Sequence, residues 1–122
     1  MLLTDKFNIM VDIDGTVSDD IPNEESHKFK NAGLIDGSVD KVNKLYEEGH
    51  FITFFTSRSE EHRRDTETWL KSNNFKYHNL LMGKPRGGNY IWIDNLFVKG
   101  VHYTNNWNNT FEEINGLMKK EK

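Results

Sequence analysis

The apolar residues of this chain fall in short runs that end in polar ones, with amphipathic stretches between them. Phe7 to Ile13 is the first run, and a strand is expected at about Asn8 to Ile13. His50-Phe51-Ile52-Thr53-Phe54-Phe55-Thr56 is rich in aromatic and β-branched residues and predicts a second, buried strand. Asn79 to Met82 reads as a short third strand, and Tyr90-Ile91-Trp92-Ile93-Asp94 as a fourth. The stretches between and after them read as helices. Val39, Val42, Leu45 and Tyr46 recur at helical intervals behind Ser38, the expected cap, and Gly49 supplies the stop. Ser57 and Glu60 have capping-box spacing and predict a helix to about Asn73, with Trp69 and Leu70 turned inward. Thr110 and Glu113 repeat that spacing around the apolar face of Phe111, Ile114, Leu117 and Met118. Val17 through Gly37 is polar and irregular and reads as a loop or short flap.

Strands and helices in this order predict an α/β protein with a central parallel sheet and helices on both faces, a three-layer Rossmann-like fold. Right-handed crossovers bring every strand's carboxyl end to one edge, where open α/β sheets bind ligands. The strand endings Asp12/Asp14, Thr56 and Asp94/Asn95 are therefore expected to meet. Two carboxylates crowded at one strand end repel each other and are costly unless a cation or a reaction uses them. A magnesium site with a nucleophilic aspartate is the chemistry expected.

With 122 residues the chain is expected to form a single domain, 1–122. Its net charge of −3, with no strongly basic patch, makes nucleic acid an unlikely partner. The absence of cysteine excludes disulfides, thiolate chemistry and cysteine zinc sites. The histidines are scattered and receive no ligand role, and the tryptophans read as packing residues. Met1 to Lys6 is too short and too quickly charged for a signal peptide, and no apolar run reaches membrane-spanning length. A cytoplasmic protein with no membrane partner is expected.

The ordered strand endings resemble the motifs of the haloacid dehalogenase-like phosphatase superfamily. Asp12-Ile13-Asp14-Gly15-Thr16 resembles its first motif, Thr56 its second, Lys84 in Gly83-Lys84-Pro85 its third and Asp94-Asn95 its fourth. The resemblance implies that Asp12 is the nucleophile and that Asp14 is the general acid and then the base. Thr56 would hydrogen-bond the phosphoryl oxygens, and Lys84 would neutralise charge on them and on Asp12. Mg2+ would be held by Asp12, the Asp14 backbone carbonyl, Asp94 and Asn95. Asn95 stands where the family more often has a second acid, which lowers the charge of the site. Gly15 lets the chain turn away sharply, and Gly15, Thr16, Ser57, Arg58 and Arg86 are assigned to substrate binding. Arg58 and Arg86 read equally well as surface residues.

A finer resemblance is to small bacterial capsule or polysaccharide biosynthesis phosphatases. It rests on Thr56-Ser57-Arg58, Thr68-Trp69-Leu70 and the run from Tyr77 to Asp94, and it implies a sugar phosphate substrate. The gaps between motifs leave no room for the family's cap domain, so a capless, open site is expected, with homodimerisation as one way to close it. The alternatives are a phosphatase for nucleotides or nucleic-acid 3′ ends, and a non-catalytic module that binds phosphate or metal. Oxygen ligands do not separate magnesium from manganese.

Overall fold

The computed structural model describes residues 6–120. Its sheet has strands β1 (Asn8–Asp12), β2 (Phe51–Phe55) and β3 (Asn79–Leu81), all parallel, in the order β1-β2-β3. The register pairs Asp12 with Phe55 and Phe55 with Leu81, so the three carboxyl ends lie side by side. Ile52 and Phe54 on one face and Thr53 on the other are all buried, as a central strand covered on both faces demands.

Helices α1 (Ser38–Glu47), α2 (Arg63–Ser72) and α3 (Trp107–Lys120) cover this sheet. Val42 and Leu45 from α1, Trp69 and Leu70 from α2, and Trp107 from α3 enter one core with Val11, Ile13, Ile52, Phe54 and Leu80. The expected Rossmann-like α/β class is what forms.

The helix starts differ from the sequence expectation. Ser38 is the first residue of α1 rather than its cap, and its hydroxyl donates to the Ile35 carbonyl at 2.7 Å. The Ser57–Glu60 box is not used: a 3₁₀ turn at Glu60–His62 precedes α2. Thr110 lies inside α3 and is buried, and Asn106 caps that helix by accepting the Asn109 N–H at 3.0 Å. Gly49 does end α1, at φ +101°, as only a glycine does without strain.

The polar stretch after β1 is a wall rather than a free flap. Residues Asn23–Asn31 form a 3₁₀ segment that packs on α2. Phe29 is wholly buried, and the Trp69 indole N–H donates to the Ala32 carbonyl at 2.8 Å.

The expected fourth strand does not form. Residues 83–106 contain no helix or strand. Tyr90, Ile91, Trp92 and Ile93 are exposed, Ile91 and Ile93 to 89% and 93%. An apolar run has β-propensity only as far as a neighbouring strand and a covered face use it. Here the segment closes locally: Asp94 accepts the Trp92 indole N–H and the Leu96 backbone N–H, both at 3.0 Å.

Candidate active site

The site begins where β1 ends. Side chains alternate along extended backbone, so Asp12 and Asp14 share one side while Ile13 points into the core. The chain then turns tightly. The N–H groups of Thr16, Val17 and Ser18 all donate to the Ile13 carbonyl, at 3.1, 2.9 and 3.1 Å. Gly15 sits at φ +82°, the conformation that expectation required of it. The Trp107 indole N–H donates to the Thr16 carbonyl at 2.8 Å, so α3 pins the turn.

Asp12 faces a groove of about 500 Å3 that is also lined by Asp14, Gly15, Thr16, Lys84 and Tyr90. Lys84 Nζ lies 2.7 Å from Asp12 Oδ1, and the Thr16 hydroxyl donates to Oδ2 at 3.1 Å. Lys84 arrives from the loop after β3. Its N–H donates to the Thr56 carbonyl at 2.9 Å, and the Gly83 N–H to the Arg58 carbonyl at 2.8 Å. Its ammonium rests 4.0 Å from the centre of the Phe55 ring, a cation–π contact that holds the charge over β2. Residues from three strand ends therefore meet at the sheet edge, across 72 positions of sequence in the Asp12–Lys84 pair.

Asp14 is held by a different set. Arg58 Nη2 donates to its Oδ1 at 2.7 Å and Arg58 Nε to its Oδ2 at 3.2 Å, a bidentate pair. The Thr56 hydroxyl donates to Oδ2 at 3.1 Å and accepts the Arg58 backbone N–H at 3.2 Å. Arg58 Nη1 donates to Thr66 Oγ1 at 2.9 Å, and the guanidinium lies 3.9 Å from the centre of the Phe29 ring. Arg58 and Thr56 are both wholly buried.

One expectation changes here. Arg58 is neither a surface residue nor a group exposed to substrate, because its fork is occupied by Asp14 and Thr66 inside the fold. The Thr56 hydroxyl, expected at the phosphoryl oxygens, donates to Asp14 and so sits beside the expected proton donor. The turn residues Gly15 and Thr16 do line the groove. Ser57 is half-buried on the turn after β2, and Arg86 is exposed beside Gly87 and Gly88.

Asp94 and Asn95, expected as metal ligands, are exposed in the segment that failed to become a strand. The Trp92 indole beside Asp94 holds its carboxylate below the usual range, with help from the Leu96 N–H. No group of three or more His, Asp or Glu side chains among the described residues is arranged to hold a metal. Magnesium needs less than that from a protein, since it keeps waters and shares substrate phosphates around one or two carboxylates. Asp12 fits that demand: among the described residues each of its oxygens accepts one hydrogen bond, and its side chain is 32% exposed. Asp94 and Asn95 do not fit it from where they stand.

Sequence reasoning missed Phe29, Thr66 and Trp107 as parts of the site. The one local signal was Thr66, eight residues after Arg58 and so near the start of the following helix. Phe29 and Trp107 reach the site only through tertiary packing.

Comparison with known proteins gives a consistent picture. The family model for the PITM 1-3 LNS2 domain matches residues 9–106. No curated protein matches. A crystal structure of a structural-genomics target from Vibrio cholerae is 21% identical, with a TM-score of 0.60, and the match covers 96% of this chain and 99% of that one. A chain of the Pnkp1/Rnl/Hen1 complex is 24% identical, with a TM-score of 0.57, over 74% of this chain and 31% of its own. A chain of the Pnkp1/Rnl/Hen1 RNA repair complex is 22% identical, with a TM-score of 0.56, over 63% of this chain and 25% of its own. Most of each Pnkp1-complex chain thus lies outside the likeness. The LNS2 family has a haloacid dehalogenase-like fold, and the likeness to these solved structures is one of α/β fold. No helix among the described residues is long and apolar enough to cross a membrane.

Proposed function

The chain belongs to the LNS2-domain family, and from that premise we propose that it is a phosphomonoesterase working through an aspartyl-phosphate on a small sugar phosphate. The observation that carries this reading is Asp12 at the end of β1, with Lys84 Nζ 2.7 Å from one carboxylate oxygen and Asp14 two residues on. Asp12 attacks phosphorus and forms the acyl-phosphate bond as the ester oxygen departs. Asp14 gives that oxygen its proton. It then takes a proton from the water that splits the aspartyl-phosphate, which restores both carboxyl groups. Lys84 holds the negative charge of the phosphoryl group against that of Asp12. Magnesium, held by Asp12 and the Asp14 carbonyl, would supply further neutralisation of the phosphoryl oxygens when bound.

A small substrate suits a groove of about 500 Å3, within the ordinary range for metabolite pockets. No cap covers the groove among the described residues, and a second copy of the chain is the partner we propose for it. The second reading is phosphatase action on RNA or DNA 3′ ends. The fold shared with the RNA repair complex keeps it in view, while a net charge of −3 weighs against a polyanion.

The test is phosphate release from a panel of sugar phosphates, nucleotides and 3′-phosphorylated oligonucleotides, with magnesium and with chelator. Metal-dependent release that Asp12→Asn abolishes, highest on sugar phosphates, is the expected result. Preference for oligonucleotides would select the second reading. Silence from folded protein across the panel would replace both with a non-catalytic binding module.

A further inference from the structure

Arg58 is a wholly buried cation that no step above uses. Building on the reading of Asp14 as proton donor, we propose that Arg58 is a positioning residue that fixes the Asp14 carboxyl and leaves Oδ1 as the oxygen facing the substrate's leaving group.

The argument is a count of lone pairs. A carboxylate offers about four acceptor positions, two on each oxygen. Oδ2 of Asp14 accepts two hydrogen bonds, from Arg58 Nε at 3.2 Å and from the Thr56 hydroxyl at 3.1 Å. Among the described residues Oδ1 accepts one, from Arg58 Nη2 at 2.7 Å. The open position is on Oδ1, in a side chain that is 16% exposed. Proton hand-over through Oδ1 needs no hydrogen bond to break, whereas Oδ2 would have to release Thr56 or Arg58.

The fork itself has no freedom. Arg58 Nη1 is tied to Thr66 Oγ1 at 2.9 Å, and that hydroxyl in turn donates to the His62 carbonyl at 2.8 Å. Phe29 covers its face at 3.9 Å. A guanidinium is a planar, rigid pair of donors, and a lysine at this position would offer one point charge with no fixed plane. Stability does not explain the arrangement, because a buried ion pair rarely outperforms apolar residues of the same volume. Aim does: a displacement of about 1 Å in a reacting group can cost roughly a hundredfold in rate.

The test compares two esters hydrolysed by the full chain with magnesium. One is 2,4-dinitrophenyl phosphate, whose leaving group departs without a proton. The other is methyl phosphate, whose leaving group needs one. Asp14→Asn and Arg58→Lys should each lower kcat on methyl phosphate about a hundredfold more than on the dinitrophenyl ester, with KM within about threefold. The double variant should be no slower than Asp14→Asn alone.

Equal loss on both esters in Arg58→Lys, or multiplying losses in the double variant, would overturn the proposal. An Asp14→Asn variant without leaving-group preference would overturn the reading of Asp14 instead. If Arg58→Lys does not fold by circular dichroism, Thr66→Val loosens the same fork, and it should show the same preference to a smaller degree. Equal slowing of both esters in that variant would likewise overturn the proposal. Should the wild type turn over neither ester, the clamp is still read by NMR. The Arg58 Nε–H signal should be protected from exchange and should move in Asp14→Asn. A rapidly exchanging signal that ignores Asp14 would overturn the clamp.

Discussion

The chain contains two apolar runs that end in acid, and they meet opposite fates. Phe7 to Ile13 leads to Asp12 and Asp14 and is built into the sheet, with Val11 and Ile13 buried. Tyr90 to Ile93 leads to Asp94 and lies on the surface with Ile93 93% exposed. Both look like strands by composition. The first finds β2 alongside it and a core beneath it, so its backbone groups are paired and its side chains leave water. The second closes on its own turn through Trp92, Asp94 and Leu96. A strand is thus decided by its neighbours, and so is the use of the carboxylate at its end.

The sharpest test of that contrast is catalytic. Asp12→Asn should reduce phosphatase turnover by about four orders of magnitude or more, as loss of a nucleophile does. Asp94→Ala should leave turnover within a few-fold of wild type, because its carboxylate is taken up by its own turn, through Trp92, Leu96 and the Asn95 N–H. Steady-state kinetics on a common ester decides. An Asp94 variant as dead as the Asp12 variant would mean that the Asp94 carboxylate itself reaches the site during turnover.

Stability should divide the regions in the same way. Phe54 is wholly buried in β2, and Phe54→Ala should cost about 3–5 kcal/mol. Ile93→Ser should change stability by no more than about 0.5 kcal/mol, as at any exposed position. Urea unfolding reads both. A loss of several kcal/mol in the Ile93 variant would place that residue in a core after all.

The smallest expected effect lies at the entrance to β2. Burial holds the His50 imidazole below its ordinary value of 6.5, opposed by Glu48 and reinforced by Lys6. His50 Nδ1 accepts the Phe7 N–H at 3.1 Å, a bond only the neutral ring can make there. In the unfolded chain the imidazole gains a proton near its ordinary value, while the folded chain resists it. The stability this confers is present above about pH 6.5 and is lost as pH falls below it toward the lower folded value. Thermal melts between pH 7.5 and 5.5 should show a larger decline for wild type than for His50→Gln. Parallel declines would remove His50 from the account.

Much of the site could be read from the chain, and the reason is local. Asp12, Asp14, Gly15 and Thr16 are fixed by five consecutive residues that must turn at a strand end. Lys84 was placed by the resemblance of Gly83-Lys84-Pro85 to a family motif, and the structure sets it against Asp12. Arg58 was misread because its sequence neighbours say nothing about what surrounds its guanidinium. Its partners come from the β1 turn, from α2 and from the 3₁₀ segment, up to 44 positions away. The Thr56 hydroxyl bond to Asp14, 42 positions away, was hidden for the same reason: its neighbour in sequence was known, its neighbour in space was not.

The sequence by itself determined the α/β class, the parallel strands with polar ends, and the aspartate turn, because periodicity and turn chemistry act over a few residues. Tertiary structure alone decided that Arg58 is buried against Asp14, that Trp107 locks the Thr16 turn, and that Tyr90 to Asp94 stays outside the sheet. Those outcomes turn on which hydrogen-bond donor, aromatic face or strand edge arrives from elsewhere in the chain, and local spacing carries no record of it.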